Sequence, residues 1–336
     1  MREAARLGTT QPSFAVAAET LDRLGGVGIS ATTVWRHHRE TSGWVEAELE
    51  GQERQAPQRL VWAEGAVGWI AAEGPIEGHA SVSIDGGMIL IREEGYREVK
   101  VVSVSEVEER KEEVLAEEGD RSAEKRGREV KIKLRRHSYR AVLGDKAAFE
   151  LAFKGELGRR RVGLAEKITT VNDGAEWIWD LVGKHLPEKC VEVLDWPHVL
   201  ENLAKAAHAG LGEESPEARR WLEQREEELW AGRLMQVDIA LHHLPRRYKE
   251  RGRVIRRVQE YLDRHWTRLA YARFRAEKRP IGSGSVESAI RNVVQWRMKR
   301  GGQRWSRPGA TRMLAALGEV HSRRWDTTLQ RLDQAA

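Results

Sequence analysis

Residues 167–203, KITTVNDGAEWIWDLVGKHLPEKCVEVLDWPHVLENL, decide the fold. Residues 167–171 read as a short strand, Asn172-Asp173-Gly174 as a turn, and residues 175–185 as a helix. Pro187 interrupts the chain before a second strand at 191–194. Asp195 then opens another helix with Pro197 in its first turn, where a missing backbone N–H leaves no intrahelical bond unmade. Two strand–helix units in succession point to an α/β core with helices on the faces of a mixed sheet.

Upstream of these units the texture is that of strands. Residues 80–91, ASVSIDGGMILI, alternate as strand, turn, strand, with Asp85-Gly86 as a hairpin signal. Residues 97–104 form a further strand, and strand character returns at 130–134 and 138–143. Between them, residues 106–128 are a dense mixed-charge run expected to be a solvated loop or helical excursion. Residues 13–41 are expected to form two short helices, capped by Ser13 and Ser30, broken by Gly25, Gly26 and Gly28, and ended by Gly43. That pattern suits a helix-turn-helix or an ordinary helical hairpin. Downstream, residues 198–275 carry helical periodicity almost throughout, broken at residues 210–216 and at Pro245. A Gly282-Ser283-Gly284 turn leads into a last basic helix over 285–300. The expected organisation is a helix-turn-helix-like segment (1–45), a polar connector (46–78), the first part of the core (79–198), a helical insertion (199–278), and the final core helix with a basic C-terminal region (279–336).

The chain has 336 residues and 32% charged side chains, a soluble globular composition. No apolar run approaches the roughly 20 residues that span a bilayer, and the first ten residues lack the apolar core of a secretory signal, so a cytoplasmic location is expected. Cys190 is the single cysteine, which excludes an internal disulfide and a Cys-rich zinc site. The net charge is only +5, but it is unevenly placed. Residues 246–325 hold 22 Lys or Arg against 6 Asp or Glu, whereas residues 1–245 hold 34 against 44. A concentrated basic stretch with Trp266, Tyr271, Phe274, Trp296 and Trp305 among the arginines is the footprint of a nucleic-acid partner. Its alternative is a solvated helical surface, or one that forms salt bridges with the acidic first two thirds.

Three acids stand out by position. Asp85 ends the strand Val82-Ser83-Ile84, Asp173 closely follows residues 168–171, and Glu287 lies in the first turn of the basic helix. Carboxylates at the ends of core strands, with a third on a helix nearby, can converge on one pocket. Such hard oxygen donors suit Mg²⁺ or Mn²⁺, and two ions about 3.5–4 Å apart serve phosphoryl transfer. Each acid also has a local reading: Asp85 in a hairpin turn, Asp173 as a helix cap, Glu287 at the positive end of its own helix. From the residues alone, the reading stops at a metal nuclease.

Four local words go further. SIDGG (83–87), VNDGAEWIW (171–179), VLDWPHVLENL (193–203) and RPIGSGSVESAIRNVVQWRMKRGGQRW (279–305) resemble, in order, the DDE transposases of the ISKra-type bacterial insertion sequences, which are similar to the mutator-like group. The resemblance spans residues 79–325. It implies a ribonuclease-H-like core interrupted by an all-helical insertion, with Asp85, Asp173 and Glu287 as the metal-binding acids. It makes Asp195-Trp196-Pro197-His198 the family's Asp-x-x-His element and His198 a group that positions the scissile phosphate; the alternative is that Asp195 caps a helix and His198 packs in its first turn. Arg291, Arg297, Lys299, Arg300 and Arg304 are expected to face outward and contact DNA phosphates, with Ile290, Val293, Val294 and Met298 toward the core. Arg36 and Arg39 are the candidate DNA contacts of the first segment.

Members of that family often carry a Cys-rich segment ahead of the helix-turn-helix-like region. With Cys190 as the single cysteine, the terminal-repeat recognition module is expected to be missing, shortened or supplied by another chain. The expected activity is metal-dependent cleavage and strand transfer on double-stranded DNA in a homo-oligomer associated with the nucleoid. The alternatives are a catalytically silent DNA-binding protein derived from a transposase and a ribonuclease-H-like nuclease.

Overall fold

The structure is a computed structural model that describes residues 1–55, 74–110, 131–246, 248–300 and 302–335. Five strands form one mixed sheet: β1 (His79–Ile91), β2 (Gly95–Arg110), β3 (Lys131–Val142), β4 (Lys167–Asn172) and β5 (Cys190–Leu194), in the order β3-β2-β1-β4-β5. The first three are antiparallel, and β1, β4 and β5 are parallel. The helices are α1 (Arg2–Thr10), α2 (Phe14–Gly25), α3 (Ala31–Gln55), α4 (Lys146–Arg159), α5 (Glu176–His185), α6 (Trp196–Leu211), α7 (Pro216–Trp230), α8 (Leu234–His242), α9 (Lys249–Arg264), α10 (Tyr271–Ala276), α11 (Gly284–Ala289), α12 (Trp296–Met298), α13 (Arg307–His321) and α14 (Trp325–Ala335). A π-helical turn, Ile290–Gln295, joins α11 to α12. No helix among the described residues is long and apolar enough to cross a membrane.

The two strand–helix units at 167–203 form as their sequence indicates, and no described strand lies between β5 and α11. Strand alternation then divides the core. On one face Val82, Ile84, Val102 and Val104 pack with Val171, Val193, Val199 and Leu203; on the other, Ile89, Ile91, Val99 and Val101 pack with Val286, Ile290, Val293 and Leu314. Helices cover both faces, so the β-branched runs are buried on both sides.

Several expectations are corrected. Asp85-Gly86 is no hairpin turn: β1 runs straight through it, pairing Asp85 with Val101 and Gly87 with Val99. The turn falls at residues 92–94, where Glu93 and then Gly95 take positive φ. The glycines serve another purpose. A Cβ on Gly87 would lie 3.2 Å from the Ile290 side chain, so its absence lets the helix after Glu287 lie close to the sheet. Residues 106–110 of the mixed-charge run belong to β2, and residues 131–142 form one strand with an irregularity opposite Val104 and Glu106. The remainder of that run, residues 111–130, lies outside the described residues.

Gly43 does not end its helix, and the connector expected from residue 46 is helical to Gln55. The buried series Val34, His38, Thr41, Val45 and Leu49 recurs every three or four positions and holds the helix against the rest of the fold. Residues 56–73 of the expected connector lie outside the described residues. Four helices absent from the sequence reading, α1, α4, α13 and α14, join this assembly. Ala5, Val45 and Leu49 share a cluster with Ala315, Ala316, Trp325 and Leu329, so the N-terminal helices are built onto the C-terminal ones.

Part of the charge asymmetry is spent inside the fold. Glu53 receives both Arg140 (2.6 Å and 3.1 Å) and Arg159 (3.4 Å); Glu156 receives Arg159 and Arg324; Arg324 also bonds Glu319, which accepts from Thr328. This buried chain fastens α3, β3, α4, α13 and α14 together. Arg268–Glu192, Arg264–Glu176 and Arg307–Glu94 likewise join the basic stretch to acids upstream.

Candidate metal centre

The site begins where two parallel strands part. Described pairing between β1 and β4 stops at Val82 and Thr170. Beyond it, the Asn172 side chain takes the place of backbone: its Oδ1 accepts from Ile84 N at 2.7 Å while its Nδ2 donates to Thr170 Oγ1 at 2.7 Å. Past this bridge the next residue on each strand is an acid, Asp85 on β1 and Asp173 after β4. β5 pairs with β4 as far as Leu194, and Asp195 follows. Asp173 and Asp195 thus follow the carboxyl ends of β4 and β5, where open α/β sheets form their crevice, and Asp85 stands mid-strand where β1 leaves β4.

Asp85 has the parity of Ile89 and Ile91 along a strand paired regularly with β2, which places it on the sheet face covered by α11. Glu287, in the first turn of α11, joins it there. Burial raises the Asp85 pKa; the Gly86 N–H opposes this, Asp173 and Glu287 add to it, and His198 opposes it again, leaving a net rise. The three acids predicted from sequence therefore share one electrostatic space with His198.

One oxygen of each acid is steadied by a hydrogen bond. Asp85 Oδ1 accepts from Gly86 N at 2.7 Å, Asp173 Oδ1 from Ala175 N at 2.9 Å, and Glu287 Oε1 from Ser283 Oγ at 3.0 Å. The bond at Asp173 matches the local turn reading of that residue as well. Among the described residues the second oxygen of each has no hydrogen bond, which fits single-oxygen ligation of a hard cation. Among the described residues, no set of three with ligand atoms within 4.8 Å of one another includes Asp85 or Asp173.

Asp195, His198 and Glu287 do come within 4.8 Å of one another. Their chemistry argues against a metal among them. Asp195 caps α6, accepting from His198 N at 3.1 Å and from His198 Nδ1 at 2.6 Å on Oδ2, and from Ser283 N at 2.5 Å on Oδ1. It is fully buried and both oxygens are engaged. Burial alone would raise its pKa, but the bonds from His198 and Ser283 hold it below the usual range. In turn the hydrogen bond to Asp195 lifts His198 to about 9 against the opposing effect of burial. With Nδ1 engaged by Asp195, the ring is fixed in orientation beside the acids. The capping and positioning readings of Asp195-x-x-His198 are thus compatible, since one carboxylate performs both tasks.

Local residues alone do not announce the remaining parts. Tyr261 of α9 lies over Gly174, where a Cβ would come within 2.1 Å of its ring. Burial, then Asp173 and Asp195, raise the Tyr261 pKa, so its hydroxyl stays protonated beside the acids. The neighbouring His265 is held down to about 4, by burial first and Arg268 second. The helical stretch after β5 thereby reaches the site, a contact between residues nearly ninety positions apart in the chain.

The basic set divides. Ile290, Val293, Val294 and Met298 face the core as expected. Arg291, Lys299 and Arg304 are exposed and Arg300 half-buried, and none pairs with a carboxylate among the described residues. Arg300 lies 4.4 Å from the Trp296 ring. Arg297 corrects the outward expectation. It is 2% exposed, donates through Nε and Nη2 to Gly8 O, and packs on Phe14 and Trp305. It stands one turn beyond Val293 and Val294 and so shares their inward face, and its bonds to Gly8 O fasten α1 to this helical segment. Arg36 and Arg39 are exposed near the start of α3, Arg39 lying 4.9 Å from Trp35. Comparison of the chain with protein-family models and with curated proteins found no match.

Proposed function

We propose that this chain belongs to the metal-dependent polynucleotidyl transferases, built on a ribonuclease-H-like core. Within that class the sequence words point to an insertion-sequence transposase that cleaves and joins double-stranded DNA at element ends. One observation carries the reading: Asp85, Asp173 and Glu287, from three distant segments, perturb one charge environment at the parted ends of β1 and β4. The strand order and its antiparallel-then-parallel pattern suit such a core, and the exposed cations after Glu287 suit a phosphate backbone.

Asp85, Asp173 and Glu287 would hold two Mg²⁺ or Mn²⁺ ions, which when bound activate the attacking oxygen and stabilise the leaving one. The protein supplies position and charge. The Ser283 hydroxyl and the Gly86 and Ala175 N–H groups fix one oxygen of each acid. Asp195 holds the His198 imidazolium in one orientation beside the acids, where it can accept a scissile phosphate by charge-assisted hydrogen bonding. Arg291, Lys299, Arg300 and Arg304 align the backbone, with Arg36 and Arg39 as contacts of the α2–α3 segment. The same reading implies association with the nucleoid and assembly of more than one copy on DNA.

The test is cleavage of DNA carrying the element ends in Mg²⁺ or Mn²⁺. Asp85→Asn, Asp173→Asn and Glu287→Gln should each lower the rate by at least about 10²-fold while circular dichroism stays unchanged. Full activity in any one variant removes that residue from the mechanism. End-specific binding without cleavage by the unaltered protein would instead identify a catalytically silent DNA-binding protein.

A further inference from the structure

Away from the acids, a cavity of about 620 Å³ opens where the N-terminal helices meet the chain between α12 and α13. Arg39, Arg92, Arg297, Arg304 and Arg312 line it, and no carboxylate does among the described residues. Of these five, Arg312 alone approaches an acid there, Glu46 at 3.6 Å. The N-termini of α2 and α13 also open onto it, since their capping serines, Ser13 and Ser306, are part of the wall. Five guanidinium groups and two positive helix ends repel one another, and an anion relieves that repulsion.

Two buried groups show the same imbalance from inside. Arg297 has no counter-charge, and burial followed by Arg300 lowers it to about 10. His38, 4% exposed, lines the cavity with its Nε2 lacking a hydrogen-bond partner among the described residues. Burial first, then Arg297 and Arg312, hold it down to about 3, so it is neutral and free to exchange a hydrogen bond with a ligand.

The wall is also aromatic. Trp35 is 43% exposed at the rim, and Trp305 lies deeper, held by Nε1 donating to Met298 O at 3.1 Å. A bare phosphate has no use for indole faces, whereas a nucleobase stacks on them. Only an unpaired base offers such a face, because a paired one is already stacked in the duplex. The volume lies within the roughly 300–1,000 Å³ of small-ligand sites.

We propose that this cavity receives one unpaired nucleotide of a DNA strand, its base against Trp35 at the rim and its phosphate on Arg39, Arg297 and Arg304. The choice of DNA rests on the strand-transfer reading; the cavity's chemistry does not. The site would hold a frayed or extruded nucleotide at an element end while the acids act elsewhere on the same duplex.

The experiment uses the full chain in EDTA and compares, by fluorescence anisotropy, a blunt duplex with the same duplex carrying a short single-stranded overhang. The unaltered protein should prefer the overhang by about tenfold, the scale of one base–aromatic stack. Trp35→Ala should bring that ratio close to one, Trp35→Phe should keep most of it, and Arg304→Gln should reduce it. A ratio near one in the unaltered protein, or a ratio preserved in Trp35→Ala, overturns the proposal. Asp85→Asn should retain the preference. In the unaltered protein, preference without any cleavage in Mg²⁺ or Mn²⁺ would defeat the strand-transfer reading alone, and cleavage without preference would defeat the cavity proposal alone.

Discussion

Replacing Asp195 by asparagine tests how the site holds its cation. The single amide oxygen of asparagine keeps either the cap of α6 or the contact with Ser283, not both, and the variant loses the charge that lifts His198 from 6.5 to about 9. That interval corresponds to roughly 3 kcal/mol at about 1.4 kcal/mol per tenfold. The imidazole side chain is 38% exposed, so solvent screening reduces the contribution to about 1–2 kcal/mol. The folded pKa lies above the unfolded one. The stabilisation is therefore complete below about 6.5 and disappears as pH rises through about 9. His198 ring-proton NMR in EDTA should give a midpoint near 9 for the unaltered chain and close to 6.5 or below for Asp195→Asn. Urea unfolding at pH 6 should show the variant less stable by about 1–2 kcal/mol, with the gap closing above pH 9. A His198 midpoint near 6.5 in the unaltered chain, or one indifferent to Asp195→Asn, would refute the held-imidazolium account and with it the phosphate role of His198.

The other consequences are more local. Glu53→Gln removes the ion-pair partner of buried Arg140 and one of the two carboxylates that hold Arg159, and should cost about 3 kcal/mol in urea unfolding; a loss under about 1 kcal/mol would mean the buried chain does not fasten α3. Burial alone would raise the Glu53 pKa, but Arg140 and Arg159 lower it overall, so its stabilisation is present above 4.5 and fades as pH falls through the lower folded value; Glu53→Gln should flatten the acid limb of a stability–pH curve. Gly174→Ala drives a methyl into Tyr261 and should destabilise by about 1–3 kcal/mol, with Tyr261→Ala in the same chain recovering most of that loss. Arg297→Met leaves Gly8 O without its donor and should cost about 1–3 kcal/mol; unchanged stability would show that α1 is held by its apolar contacts alone.

What was legible in the sequence was mainly local. The strand–turn–helix units at 167–203 are fixed by β-branched runs, by the Asn-Asp-Gly break, and by the Asp195 cap with Pro197 behind it, all of which act within a few residues. Ser13 and Ser30 cap where expected for the same reason. The inward row Ile290, Val293, Val294 and Met298 follows from spacing alone. So does the choice of Asp173, after a strand, and Glu287, at the start of a helix, whereas Asp85 stands within a strand that continues to Ile91.

Other features were settled by contacts between distant segments, which no local pattern contains. Asp85-Gly86-Gly87 has the composition of a turn, yet pairing with Val101, Lys100 and Val99 keeps it extended, and the missing side chain of Gly87 admits Ile290. Gly43 reads as a stop, yet Val45 and Leu49 find partners in Ala315, Ala316 and Trp325, and that burial outweighs the propensity of one glycine. Arg297 looks like one more surface cation, yet it is buried a turn beyond Val293 and Val294, where the Gly8 carbonyl of a distant helix accepts from its guanidinium. The crevice itself depends on Asn172, whose amide replaces a ladder bond so that β1 and β4 can part. Sequence thus supplies the side chains with the right chemistry, but their convergence comes from pairing and burial across the whole chain, where free energy gained far away overrides local preference.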